Sequence, residues 1–83
     1  MYKLLISSKA NREIRKISRL HKEAIINALY ELKQNPLEGK PLTKELTGRL
    51  SYRVGFYRII YTVNRKDQIV RIVTAGHRAT IYN

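Results

Sequence analysis

The chain has 83 residues, which is the length of one small domain, and it contains no cysteine. A disulfide framework and a thiolate metal site are therefore excluded, and the two histidines, His21 and His77, lie too far apart in sequence to predict a zinc site. Seventeen basic residues outnumber six acidic ones, and the resulting formal charge of +11 predicts salt-dependent binding to a polyanion.

No targeting or membrane segment stands out in the sequence. The apolar run at the amino terminus is too short for a signal peptide, and no stretch reaches transmembrane length. The pair Gly39-Lys40 lacks the first glycine and the Ser or Thr of a phosphate-binding loop. We therefore expect a cytoplasmic protein with no metal, no cofactor, no small-molecule ligand and no membrane contact.

The first half of the chain predicts one strand and two helices. Residues 2–6 are typical of a short strand, and Ser7 or Ser8 is suited to cap a following helix. Apolar residues then recur at helical spacing, first in one helix and, after a break near residue 20, in a second. The apolar positions are Ala10, Ile14 and Ile17 in the first helix and Ile25, Ala28, Leu29 and Leu32 in the second. Pro36 ends the second helix, so the two helices form a hairpin.

The second half of the chain predicts an antiparallel sheet. Residues 36–49 hold both prolines and two glycines, and we expect them to form a connection with little regular structure. The predicted strands that follow are residues 51–54, 57–63 and 69–74. The predicted fold class is α+β: an N-terminal strand, a helical hairpin and then a three-stranded antiparallel meander, with the helices packed on one face of a four-stranded sheet. Residues 1–83 form a single domain in this prediction, and the other face of the sheet is left for function.

Arginine and aromatic residues alternate through the last third of the chain. The arginines are Arg53, Arg58, Arg71 and Arg78, and the aromatic residues are Tyr52, Phe56, Tyr57, Tyr61 and Tyr82. Guanidinium groups match phosphate oxygens and aromatic rings stack on bases, so such a surface suits RNA. Asp67 is the only carboxylate in residues 46–83, which favours a functional role for Arg58 over pairing with a carboxylate. The tyrosines within the predicted strands are expected to pack in the sheet.

The segment Leu-Ser-Tyr-Arg-Val-Gly-Phe-Tyr-Arg-Ile-Ile-Tyr at residues 50–61, followed by Gly76-His77-Arg78 and the terminal Tyr82, resembles the RelE/ParE toxin superfamily of toxin–antitoxin systems. The length, the basic charge and the order of elements fit the same family, and the RelE-like mRNA interferase branch is the most similar. This resemblance implies a metal-independent, ribosome-dependent endoribonuclease that cleaves mRNA in the A site and inhibits translation. Its implied partners are mRNA, the ribosome with its rRNA, and a cognate antitoxin protein that holds it inactive.

The resemblance also assigns roles to individual residues. Arg58 matches the central-strand arginine of the family, Arg78 its arginine after the last strand, and Tyr82 its terminal tyrosine. Cleavage by the ribose 2′-hydroxyl needs a proton acceptor, stabilisation of a phosphorane and a proton donor. The predicted catalytic residues are Arg58, His77, Arg78 and Tyr82. The predicted RNA-binding residues are Arg53, Arg71, Lys40 and Lys44. His77 matches a position that is histidine in some branches only, and a turn histidine after Gly76 is an open alternative.

Two other functions remain open from the sequence. A ParE-like inhibitor of DNA gyrase would use the same fold as a binding protein without chemistry of its own. A non-catalytic RNA-binding module would need only the charge and the aromatic residues, and His77 would then be incidental. Inhibition of supercoiling in the absence of ribosomes distinguishes the gyrase inhibitor, and the lack of a cleaved product distinguishes the binding module.

Overall fold

A computed structural model gives the fold of residues 2–77. Within this range the chain forms two α-helices, two short 3₁₀ helices and five strands. The strands are β1 (Lys3–Ile6), β2 (Lys40–Pro41), β3 (Leu50–Val54), β4 (Tyr57–Asn64) and β5 (Ile69–His77). The helices are α1 (Ser8–Lys16) and α2 (Arg19–Gln34), and the 3₁₀ helices span Pro36–Glu38 and Lys44–Leu46. None of these helices within residues 2–77 has the length and apolar character needed to cross a membrane.

The five strands form one mixed sheet in the order β1-β5-β4-β3-β2. Strand β1 runs parallel to β5, and the other neighbouring strands are antiparallel. The helical hairpin follows β1 in sequence and begins the long connection from β1 to β5 that a parallel pair requires. Side chains alternate along β4, so Ile59 and Tyr61 lie in the core under the helices and Arg58 lies on the opposite face.

The core lies between the two helices and one face of the sheet. Its largest fully buried side chains come from both layers. They are Ile25 and Leu32 of α2 and Ile59, Tyr61, Val70 and Ile72 of the sheet. The predicted apolar stripes of both helices belong to the same buried cluster. The predicted α+β packing of a helical hairpin on one sheet face is therefore confirmed.

The sheet has five strands rather than the predicted four. The additional strand, β2, consists of Lys40 and Pro41, which pair antiparallel with Ser51 and Leu50 of β3. Proline is tolerated at this position because β2 is an edge strand, where a missing N–H need not interrupt a ladder. The composition of residues 36–49 predicts a connection, and only the pairing with β3 turns two of its residues into a strand.

Side chains near α1 bind the part of β5 that extends beyond β1. The last pair between these strands joins Ile6 to Ile72, so the following residues of β5 have no strand on that side. The Ser7 hydroxyl accepts from the N–H of Ala10 at 3.0 Å and donates to the Val73 carbonyl oxygen at 2.8 Å. The Glu13 carboxylate accepts from the Thr74 hydroxyl at 2.6 Å and from the Ala75 N–H at 3.1 Å. These bonds hold the end of β5, where Gly76 lies opposite Arg58.

Candidate nucleic-acid interface

The sheet bears a cavity of about 480 Å³ beside β2 and β3. Its lining comes from the connection after α2 and from strands β2, β3 and β4. The lining residues are Glu38, Lys40, Leu42, Ser51, Tyr52, Arg53 and Arg58. Three of these side chains are cationic and one is anionic, so the cavity favours a negatively charged ligand.

Arg53 and Arg58 lie directly opposite each other on β3 and β4. Like charges in this arrangement destabilise an antiparallel pair of strands. Binding of an anion to both guanidinium groups would relieve the repulsion between them. Arg58 is half-buried, whereas Arg53 is exposed and donates from Nε to the Gly55 carbonyl oxygen at 3.3 Å. Two guanidinium groups carried on adjacent strands are suited to binding a phosphate group.

A buried tyrosine holds the connection that carries Lys40. The Tyr61 hydroxyl accepts from the Gly39 N–H at 2.9 Å and donates to the Pro36 carbonyl oxygen at 2.7 Å. Gly39 packs so closely against the ring that a Cβ at this position would collide with the hydroxyl. Burial raises the pKa of Tyr61, so its hydroxyl keeps the proton that it donates. Glu38 and Lys40 are thereby held at the wall of the cavity.

Tyr52 connects the wall of the cavity to α2. Its hydroxyl donates a hydrogen bond to Glu31 Oε2 at 2.9 Å. This hydrogen bond is the main cause that raises the pKa of Tyr52 from 10.0 to about 12, and burial and the charge of Glu31 add to it. Tyr52 is therefore protonated at neutral pH and serves as a donor to Glu31 rather than as a proton acceptor.

His77 lies in a cluster of rings at the end of the sheet. Its ring is nearly parallel to that of Phe56, with an angle of 10° and 6.3 Å between centroids. It also meets Tyr57 edge to face at 5.9 Å, and Tyr57 lies 5.3 Å from the ring of His21. In the pairing of β4 with β5, His77 lies opposite Tyr57 and Gly76 opposite Arg58, so alternation places the side chains of His77 and Arg58 on different faces of the sheet.

Within residues 2–77, no group of three or more His, Asp or Glu side chains is arranged to hold a metal ion.

Comparison with known proteins establishes the family. A family model described as the ParE toxin of a type II toxin-antitoxin system, parDE, matches residues 4–82. This chain belongs to the RelE/ParE toxin family. It is therefore a type II toxin of a toxin–antitoxin system, as the resemblance in the sequence predicts.

Named relatives of this RelE/ParE toxin share its length and its fold. Toxin RelG of Mycobacterium tuberculosis (strain ATCC 25618 / H37Rv) is 35% identical over 83 residues, which cover 98% of this chain and 95% of RelG. A chain of the RelBE2 toxin–antitoxin complex from Mycobacterium tuberculosis is 32% identical, with a TM-score of 0.86 over 93% of this chain and 98% of that one. The intact RelBE toxin–antitoxin complex of E. coli contains the same fold at 22% identity, with a TM-score of 0.78 over 93% and 96% of the two chains.

The cavity of this RelE/ParE toxin brings together three of the predicted site residues. They are Arg53, Arg58 and Lys40. Lys44 is exposed in a 3₁₀ helix with a φ of 57° and does not line the cavity. Arg71 is exposed on β5 and lines a separate cavity of about 240 Å³ together with Asp67. The predicted RNA contacts of Lys44 and Arg71 therefore lie apart from the paired arginines, and they stay predictions.

The other predicted catalytic residues lie at the end of β5 or after it in sequence. Arg78 and Tyr82 lie outside residues 2–77, which the structure describes, so their roles stay predictions. His77 is the last residue described; its ring lies against those of Phe56 and Tyr57, and it is not among the described residues that line the cavity. Its role in proton transfer also stays a prediction.

Sequence reasoning singled out neither Glu38 nor Ser51 as a site residue. Glu38 and Ser51 line the cavity, and Phe56 is 72% exposed at the tip of the β3–β4 hairpin. Alternation along β3 is a usable signal for Ser51, because Arg53 two positions later faces the same side. No local signal places Glu38 in the cavity, since its position depends on a hydrogen bond between Gly39 and Tyr61, which are 22 residues apart.

Proposed function

We propose that this toxin is a ribosome-dependent endoribonuclease that cleaves mRNA in the A site and thereby inhibits translation. The observation that carries the proposal is the pair of arginines, Arg53 and Arg58, opposite each other in the wall of a cavity that also includes Lys40. Single-stranded RNA presents one phosphate per nucleotide, and a paired guanidinium site matches that group in charge and geometry. The similarity to toxin RelG over nearly the whole chain supports the RelE-like branch.

The paired arginines explain how the cavity would act on a phosphodiester. When the ribose 2′-hydroxyl attacks phosphorus, the non-bridging oxygens gain negative charge, and Arg53 and Arg58 stabilise that charge. Arg58 is half-buried and so is partly shielded from water. Its charge therefore stabilises the phosphorane more strongly than a fully solvated cation would. In the proposed reaction a base removes the 2′-hydroxyl proton, the bond from phosphorus to the 5′-oxygen breaks, and an acid protonates that oxygen.

The groups that move protons are proposed at the end of β5 and just beyond it. His77 and Tyr82 are the candidates for the two transfers, because imidazole and phenol groups can each give or take a proton. Arg78 adds a third guanidinium group to the phosphate site. These three assignments rest on the family resemblance. The pairing of Gly76 with Arg58 brings the backbone at the end of β5 next to the arginine pair, while the side chain of His77 lies on the other face of the sheet from Arg58.

An antitoxin is the proposed protein partner. The RelBE2 relative was solved as a toxin–antitoxin complex. We infer that a cognate antitoxin holds this toxin inactive by laying an acidic or amphipathic segment over the arginine-bearing cavity. The charge of +11 supports this mode of inhibition, because such a segment both cancels the field that attracts RNA and blocks the cavity.

Inhibition of DNA gyrase is the second candidate function. The family model that matches residues 4–82 is named for ParE toxins, and this match favours a gyrase inhibitor as much as it favours a nuclease. Such an inhibitor would bind gyrase without using the paired arginines as a reaction centre. The two candidates therefore predict different activities for the purified protein.

Two assays on the purified wild-type toxin separate these functions. One follows mRNA cleavage on translating ribosomes by primer extension, and the other follows supercoiling by DNA gyrase without ribosomes. We expect new mRNA ends within the A-site codon and unaltered supercoiling. Inhibited supercoiling with intact mRNA would establish the gyrase inhibitor instead. Intact mRNA together with salt-sensitive RNA binding and normal supercoiling would indicate a non-catalytic RNA-binding module.

A further inference from the structure

The tip of the β3–β4 hairpin presents an apolar ring to solvent. Gly55 takes a φ of 61°, which forms the turn, and Phe56 follows it with 72% of its surface exposed. Tight turns usually carry Gly, Asn, Asp or Ser, because these residues suit the backbone and the solvent. Phe56 contributes little to the core, so most of the surface of its ring is available to a ligand.

A second ring fixes the position of Phe56. His77, at the end of β5, lies nearly parallel to it at 6.3 Å, and Tyr57 meets His77 edge to face at 5.9 Å. We call the exposed pair Phe56 and His77 the aromatic ledge. Because Tyr57 packs against the buried core, the ledge is anchored to the sheet rather than carried on a free loop. A rigid aromatic surface loses little conformational entropy when a flat ring stacks on it.

The aromatic ledge lies at the tip of the hairpin whose strands carry the paired arginines, with His77 on the face of the sheet opposite that of Arg58. Phe56 follows Gly55, whose carbonyl oxygen accepts from Arg53 Nε at 3.3 Å, and it precedes the strand that carries Arg58. Exposed aromatic rings next to fixed guanidinium groups are the combination that proteins use to bind single-stranded nucleic acid. The formal charge of +11 further favours a polyanion over an apolar protein segment as the occupant.

We propose that the aromatic ledge is a nucleobase-stacking subsite for single-stranded RNA. It holds one base of the strand at the hairpin tip, while Arg53 and Arg58 hold a phosphate on the other face of the sheet. This inference rests on the proposed function, because the nuclease supplies RNA as the substrate. Every base has a flat π face, so the ledge strengthens binding of RNA without selecting a particular base.

Binding of uncleavable RNA measures stacking separately from the reaction. One probe is a short single-stranded oligoribonucleotide with 2′-O-methyl groups, which block attack by the 2′-oxygen. The second probe has the same number of phosphates and methylated riboses but no bases. Affinities for both probes are measured by fluorescence anisotropy over a range of salt concentrations. The proteins are the wild type, Phe56→Ala, Phe56→Trp, Arg58→Ala and, as a matched exposed aromatic residue on α2, Tyr30→Ala.

The proposal predicts a distinct pattern for each variant. Phe56→Ala weakens binding of the intact probe by about 5-fold to 100-fold, the range for loss of one stacked base, without changing the slope of log K against log salt. Phe56→Trp retains the affinity, and Tyr30→Ala matches the wild type. Arg58→Ala instead lowers the magnitude of the slope of log K against log salt by about 0.7, because one contact with a phosphate of the single strand is lost. On the probe without bases, Phe56→Ala and the wild type bind equally.

Three results would overturn the aromatic ledge as a subsite. In the first, the wild type does not bind the intact probe. In the second, Phe56→Ala binds the intact probe as tightly as the wild type does. In the third, Phe56→Ala loses the same affinity for the probe without bases as for the intact probe. Failure of the proposed nuclease function is detected separately. If the toxin shows the predicted binding pattern but cuts no mRNA, the stacking subsite stands and the proposed reaction is refuted.

Discussion

At the residue scale, one hydroxyl group ties the connection after α2 to the centre of the sheet. Tyr61 is fully buried, and its hydroxyl bonds to both Gly39 and Pro36. Removal of this oxygen leaves the N–H of Gly39, which is itself buried, without its acceptor. The same change frees the segment that positions Lys40 at the cavity.

Tyr61→Phe therefore tests the anchoring of this connection. We expect the free energy of unfolding to fall by about 1–3 kcal/mol, because a buried donor loses its partner. Urea denaturation followed by circular dichroism measures the change. Tyr30→Phe is the matched control, since Tyr30 is 63% exposed and loss of its hydroxyl should stay within about 0.5 kcal/mol of the wild type. Equal stability of the two variants would show that the anchor contributes nothing.

The hydrogen bond from Tyr52 to Glu31 predicts a dependence of stability on alkaline pH. The pKa of Tyr52 is raised from 10.0 to about 12 in the folded chain, so folding favours the protonated phenol. Its contribution to stability is therefore complete below pH 10 and is lost as the pH rises through about 12. An ultraviolet titration of tyrosinate should show one phenol that ionises near pH 12 in the wild type. This ionisation should be absent from the titration of Tyr52→Phe. An unchanged titration curve in the variant would contradict the assignment.

At the element scale, the end of β5 depends on helix α1. The Glu13 carboxylate accepts from Thr74 and from the Ala75 N–H, and it takes the place of a neighbouring strand on that side. This part of β5 leads to Gly76, which pairs with Arg58. The geometry of the arginine pair is thus supported by a contact made from the other layer of the fold.

Glu13→Ala tests this support. We expect a loss of about 1–3 kcal/mol in the free energy of unfolding, because the Ala75 N–H and the Thr74 hydroxyl lose their common acceptor. Hydrogen exchange of the Ala75 amide should also become faster, since the end of β5 opens more readily. Glu23→Ala on the exposed surface of α2 is the control and should leave both quantities unchanged. An Ala75 amide that stays fully protected in Glu13→Ala would refute the role of the contact.

The elements that could be predicted are those in which the spacing of apolar residues along the sequence matches a helix or a strand. β4 alternates between core residues and the face that carries Arg58, so the meander and the face of Arg58 follow from the sequence, whereas the pairing of Arg53 with Arg58 is seen in the structure. Strand β2 and the position of Glu38 could not be predicted, because hydrogen bonds to β3 and to Tyr61 decide them. These partners lie far away in sequence and carry no local signature.

Position along a strand explains why Arg71 lies apart from the arginine pair. Arg71 and Gly76 lie on the same strand, but five residues of strand span roughly 17 Å, so Arg71 lies far from the arginine pair. It lines another cavity with Asp67. An arginine-rich sequence therefore predicts the chemistry of the surface better than it predicts which arginines share a site.

At the scale of the whole molecule, the proposed antitoxin segment must neutralise the positive charge of the cavity. The double substitution Arg53→Glu with Arg58→Glu reverses the charge of the pair and should weaken antitoxin binding on the order of 100-fold or more. Isothermal titration calorimetry with the cognate antitoxin measures the affinity. The control is Arg65→Glu with Lys66→Glu, which makes the same change of charge in the turn at the opposite end of β4. Equal affinity of the two double variants would argue against a segment that covers the cavity.

Cleavage of translated mRNA by Arg58→Ala tests the central claim most directly. Primer extension compares this variant with the wild type and with Arg65→Ala, which removes the same charge from an exposed turn. We predict that Arg58→Ala lowers the rate of A-site cleavage by about 10²- to 10³-fold, since a preorganised donor to the phosphorane is lost, while Arg65→Ala cuts like the wild type. Circular dichroism confirms that both variants are folded. Wild-type cleavage by a folded Arg58→Ala protein would contradict the account.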